Sequence, residues 1–198
     1  MTQPLRNATE IRTSVGFPSG SRIGVTGHRP SKIILDGRPA YHLDVFARVV
    51  DLAVAALQQF QPSHVRTGMA QGWDQAVAEA CVRLDIPFTA VIPHEAFPSR
   101  WPAAARAKYN DLLMAADDIV VVGTGDFHLG LLQRRNERIV DDVADEGGYL
   151  LALWDMKPRG GTFNCIQYAG EHGVNCHNLW PTWLRHRAAR SRHQSAAE

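Results

Sequence analysis

Cysteine is scarce. The three present, Cys81, Cys165 and Cys176, cannot make an even disulfide framework, and no CxxC pair suggests a structural zinc or redox site. A reducing, cytoplasmic setting is expected. Long apolar runs are missing too: nothing approaches the roughly 18 residues that span a bilayer, and the opening MTQPLRNATEIRTSVGFPSG lacks the apolar stretch of a secretory signal. No membrane association is expected. Nor does charge of one sign accumulate: 21 Lys and Arg against 20 Asp and Glu leave a formal net charge of +1, interspersed along the chain. Without a basic stripe, nucleic acid is not expected as a partner. Neither GxxxxGK[ST] nor a complete GxGxxG occurs, so ordinary ATPase and nicotinamide readings lose support.

What is present is material for one domain: 198 residues, 45% hydrophobic and 21% charged. Residues 1–20 read as an N-terminal arm, 21–182 as the domain, and 183–198 as a basic, disordered tail. Arg185, Arg187, Arg190 and Arg192 in that tail could meet phosphates, although such ends are more often only solvated. Between the arms, short apolar runs alternate with amphipathic stretches, the pattern of βαβ units. Strands are predicted over 22–26, 64–67, 88–92, 119–122, 149–154 and 175–180, and helices over 40–60, 75–84, 103–116, 131–144 and 163–171. The β-branched run Ile119–Val122 reads as a fully buried strand. The fold class predicted is α/β, a Rossmann-like doubly wound, mostly parallel sheet flanked by helices.

In such sheets ligands sit beyond the carboxyl ends of the strands, where helix N-termini present unpaired N–H groups. Three loops at such ends contain glycine. The first is Thr26-Gly27-His28-Arg29, in which Gly27 frees the backbone and Arg29 offers a fork of donors to a phosphate. The second runs Gly68-Met69-Ala70-Gln71-Gly72-Trp73-Asp74 into a helix, and the third carries Asp155 and then Gly160-Gly161-Thr162. Any one could be merely a tight connection; together they predict a shared ligand site.

Several residues admit two readings. Asp74 could accept from ribose hydroxyls or cap its own helix. Asp155 could hold a ribose or water, or pair with Arg159. These two are the only catalytic candidates. Arg135 and Asn136 could reach over the pocket, or simply be solvated like Arg134, Glu137 and Arg138. Trp73 could stack on a base or pack, while Trp101 is expected to pack. His172, Cys176 and His177 match no closed metal spacing, so no metal site is predicted. No cofactor is assigned apart from the nucleotide-like ligand.

The order GVTGHRP, TGMAQGWD with its Ala-rich helix, IPHE, Trp101, Tyr109-Asn110, Ala116-Asp117, Arg135-Asn136, Asp155 and Gly160-Gly161-Thr162 resembles the SLOG superfamily over roughly residues 22–173. This Rossmann-like group includes the LOG phosphoribohydrolases and DprA-like proteins, and the likeness is to its YpsA-like branch. It implies a pocket for a nucleotide or nucleotide-derived ligand, ADP-ribose-like or a nucleoside phosphate, and pairing into a homodimer, which one sequence does not fix. The enzymatic LOG pattern places a glutamate three residues beyond the threonine of its glycine turn; here that position is Cys165. Recognition by a sensor or binding protein is therefore expected before N-glycosidic hydrolysis, with a DprA-like association with DNA third.

Overall fold

The computed structural model describes residues 18–124 and 126–195, with side chains through residue 188, so nearly all of the expected N-terminal arm lies outside the described residues. The main sheet consists of β1 (Arg22–Gly27), β4 (His64–Thr67), β5 (Phe88–Ile92), β6 (Asp118–Val121), β7 (Tyr149–Leu153) and β8 (Cys176–Asn178). All of its neighbours are parallel, in the order β6-β5-β4-β1-β7-β8. A small antiparallel pair, β2 (Ile34–Leu35) and β3 (Arg38–Pro39), follows β1 and was not predicted. The helices are α1 (Leu43–Phe60), α2 (Trp73–Leu84), α3 (Ala103–Met114), α4 (Gly130–Asp145), α5 (Gly161–Glu171) and α6 (Trp180–Ser195).

Period-2 alternation sorts the strands' side chains between two layers. Ile23, Val25, Val65, Leu151 and Leu153 join the core shared with α1 and α2, which the apolar stripe Val45, Val49, Val50, Ala53, Leu57 and Phe60 completes. Leu150, Ala152 and Trp154 point the other way, to Val140 and Val143 of α4 and Cys165, Ile166 and Ala169 of α5. Gly24 lets α4 come close: a β-carbon there would sit 2.8 Å from the Ile139 side chain.

Two expectations need correction. Strand β6 is not buried but is an edge, with Ile119 45% and Val121 38% exposed. The reason is tertiary, since the helix after it packs mainly on α5 and β1 rather than over this edge strand. The segment expected as a disordered tail from residue 183 continues α6 instead, anchored by Trp183, which is 1% exposed.

Candidate functional site

The chain lays strands outward from β1 through β4 and β5 to β6, then returns to place β7 on the opposite side of β1. The strand order reverses between β1 and β7, the kind of switch point beside which open α/β sheets place their ligands. Four hydrogen bonds tie the loops together there. The His28 N–H donates to the Leu153 carbonyl at 3.0 Å and the Trp73 N–H to the His28 carbonyl at 3.2 Å. The Asp155 N–H donates to His28 Nε2 at 2.9 Å, and the Thr162 hydroxyl to the Gly27 carbonyl at 3.1 Å. Thr26 lies in the strand immediately beneath, buried.

Much of the glycine space is taken up by the protein itself. A β-carbon on Gly27 would stand 2.5 Å from the Trp73 ring; one on Gly72, at φ +100°, would collide with the His28 carbonyl; one on Gly68 would overlap the Arg135 guanidinium. These glycines let loop, indole and arginine close on one another. Gly160, at φ +87°, has nothing within 4 Å of its would-be β-carbon, and Gly161 only Asn136 Nδ2 at 3.9 Å. Asn136 donates to the Gly161 carbonyl at 3.3 Å, so α4 steadies the third loop. Met69 and Met156 adopt left-handed backbone at φ +57° and +60°, one in the second loop and one in the third. For side-chain-bearing residues this costs on the order of 1–3 kcal/mol, which surrounding structure must offset.

Beneath the loops lies a buried ion pair. Arg135 Nη1 and Asp74 Oδ2 are 3.0 Å apart, with side chains 6% and 5% exposed. The same oxygen accepts from the Ala70 N–H at 3.3 Å. Burial pushes the Asp74 carboxyl up, against the charges of Arg135 and Arg29. Gln75 holds the same turn through the Met69 carbonyl, and Gln71, between the two glycines, is half-buried. Arg135 Nε is buried without a partner, and the half-buried Arg29 guanidinium has no hydrogen bond among the described residues, standing 6.0 Å from the Phe97 ring centroid. His28 Nε2, which accepts the Asp155 N–H, also lies 2.9 Å from Asp155 Oδ1, a contact that becomes an ion pair only when the imidazole is protonated; Lys157 Nζ lies 3.8 Å from Oδ2, and the carboxylate does not pair with Arg159. Burial lowers the pKa of His28, opposed by Asp155, while the charge of His28 and the Lys157 N–H hold Asp155 low against its own desolvation. Cys165, where the enzymes carry glutamate, is 1% exposed, and burial pushes its thiol up to about 12.

The chain has a Rossmann-like fold. No protein-family model and no curated protein sequence matches it. Solved structures do. DNA processing protein A (DprA) from Helicobacter pylori, described for its single-stranded DNA binding mode, aligns at 17% identity over 88% of this chain and 77% of its own, with a TM-score of 0.52. DprA from Streptococcus pneumoniae aligns at 16% identity over 81% of this chain and 58% of its own, with a TM-score of 0.42. TM1055 aligns at 13% identity over 78% and 71%, with a TM-score of 0.47. What the likeness to the H. pylori structure shows is the fold, an α/β sheet of Rossmann-like type. The expectation that nucleic acid is not a partner does not stand, because a chain of this fold binds single-stranded DNA; near-neutral net charge was too weak a ground for excluding it.

The remaining candidates fall elsewhere. Trp73 is fully buried and packs, and half-buried Trp101 packs edge-on against Phe97 and Tyr109. Among the described residues no group of three or more His, Cys, Asp or Glu could hold a metal ion, and no helix is long and apolar enough to cross a membrane. Sequence reasoning missed the aromatic neighbours of Arg29 and the unpartnered Tyr109 hydroxyl. For Arg135 it weighed a place over the pocket against a solvated one, and the structure shows neither alone: Leu131, Arg135, Ile139 and Val143 recur every four residues and place the arginine on the apolar stripe.

Proposed function

We propose that the chain captures a nucleotide or nucleotide-derived ligand, ADP-ribose-like or a nucleoside phosphate, at the carboxyl ends of β1, β4 and β7, as a binding or sensor protein of the YpsA-like branch. One observation carries the reading. The three loops are tied together at the switch point, with no hydrogen bond to the Arg29 guanidinium among the described residues and the Gly160-Gly161 turn open at the start of α5, the kind of backbone that receives phosphate. Left-handed backbone at Met69 and Met156 supports it, since such cost concentrates where function requires it. The reducing cytoplasm is the fitting compartment, as Cys81, Cys165 and Cys176 are all free and buried.

Capture fits better than cleavage. Asp74 is engaged by Arg135 and Ala70 and Asp155 by His28, while Cys165 is sequestered, so none of the candidate groups is poised over a sugar. A second reading, single-stranded DNA as the nucleotide-bearing ligand, is favoured by the similarity in fold to the H. pylori protein. Both are tested by thermal unfolding with nucleoside phosphates, ADP-ribose and single-stranded oligonucleotides, because binding to the folded state alone raises the melting temperature. A rise with nucleotides and unchanged substrates on chromatography is expected; no rise with any of them refutes the reading.

A further inference from the structure

One ring nitrogen at the switch point has two partners that it cannot serve together. His28 Nε2 accepts the Asp155 N–H at 2.9 Å and also stands 2.9 Å from Asp155 Oδ1. An imidazole nitrogen accepts when it carries no proton and donates when it does, so the protonation state selects the partner. In the neutral ring, Nε2 holds the N–H while its lone pair faces the carboxylate oxygen. In the protonated ring, Nε2–H donates to that oxygen and the backbone N–H loses its acceptor. His28 is buried. Asp155 and Lys157 bear on its charge from the loop after β7, and Lys32 from the turn Pro30–Lys32. Helix α6 sets the Trp180 ring edge-on at 5.3 Å, and α2 places the Trp73 N–H on the His28 carbonyl. Burial opposes the charged ring and Asp155 favours it, so a further anion close by would favour it again. The open Gly160-Gly161 turn is where that anion is expected, because Thr162, next along, bonds the carbonyl of Gly27, one residue from His28.

We propose that His28 couples capture of a phosphate-bearing ligand to the uptake of one proton: the protonated ring neutralises Asp155 and releases the Asp155 N–H, so that the loop after β7 stops repelling an anion and offers it a donor. The proton moves from solvent to Nε2, and no covalent bond is made or broken. The proposal rests on the nucleotide reading and adds its regulation. His28 is then a positioning residue, acting on the ligand through Asp155. By linkage, the ligand raises the proton affinity of His28 by the same factor as the proton raises that of the ligand.

Two measurements on the full chain test this. In the unliganded protein, nuclear magnetic resonance follows the His28 ring and the Asp155 amide as the pH falls from 8 to 5, and the two are expected to titrate together. An Asp155 amide indifferent to the His28 titration overturns the exchange of partners, whatever the ligand. Isothermal titration then uses ADP-ribose, whose linked phosphates stay ionised throughout, at pH 6 and pH 8 in buffers of different ionisation enthalpy. Binding is expected to tighten about fivefold or more at pH 6, with net uptake of protons. His28→Gln, which cannot take up the proton, should bring the two affinities within about twofold of each other. Asp155→Asn keeps the N–H and removes the carboxylate, and should also shrink the pH response, which decides the matter if His28→Gln fails to fold. Equal binding at both pH values, or a pH response that survives the substitutions, overturns the coupling and leaves the nucleotide reading intact. No nucleotide bound at either pH overturns both.

Discussion

Replacing Arg135 by methionine isolates the ion pair beneath the loops. The substitution keeps most of the buried volume and removes the charge, leaving the Asp74 carboxylate 5% exposed with the Ala70 N–H as its remaining hydrogen-bond partner. Removing one member of a buried pair costs about 3–5 kcal/mol, and for a chain of this size each kcal/mol moves the melting temperature by roughly 2–4 °C. A fall of about 6–20 °C is expected. The pH dependence is specific. Burial already raises the Asp74 carboxyl above its usual range, and without Arg135 it rises further. A carboxyl whose folded pKa exceeds its unfolded one stabilises the fold at low pH and loses that contribution as pH climbs through the folded value. Urea denaturation should therefore show a larger deficit for Arg135→Met at pH 8 than at pH 5, and adding Asp74→Asn should recover most of it. Gly68→Ala should mimic the loss, because its β-carbon would occupy the guanidinium's place. A deficit under about 1 kcal/mol, or one independent of pH, refutes the account.

Two further predictions concern the loops. Gly72→Ala combines a φ of +100° with collision against the His28 carbonyl and should cost about 2–5 kcal/mol, whereas Gly160→Ala, at φ +87° but in open space, should lose only about 1–3 kcal/mol in the same denaturation assay. His28, whose pKa burial lowers from 6.5, should make the fold lose stability as pH drops below that value, because the unfolded chain then binds the proton more readily. His28→Gln should flatten that acid limb, and an unchanged limb would contradict the assignment.

The fold was legible wherever one strand's apolar run and one helix's stripe sufficed, because period and flanking loops carry that information locally. Burial of β6 was not legible, since Ile119 and Val121 look the same whether or not a helix covers them, and coverage depends on where the next helix lands. The loops' glycines were found, but not what would fill the space beside them. Gly27 serves the Trp73 ring and Gly68 the Arg135 guanidinium, partners far away in sequence or on another element. The stripe containing Arg135 was the overlooked local signal; Phe97 and Phe127 gave none, since aromatics mark a core as readily as a surface.

The bonds that knit the switch point also bear on how the protein assembles. Gly27 meets Thr162 across 135 residues and His28 meets Asp155 across 127, so the site joins segments far apart in the chain. Pairings at such separation are slow to form and come after the local β-α units have condensed. A chain halted before β7 would have β1, β4, β5 and β6 of the main sheet but none of these ties. The switch point therefore exists only once β7 has paired with β1, and its ties make the two sides of the sheet one cooperative unit.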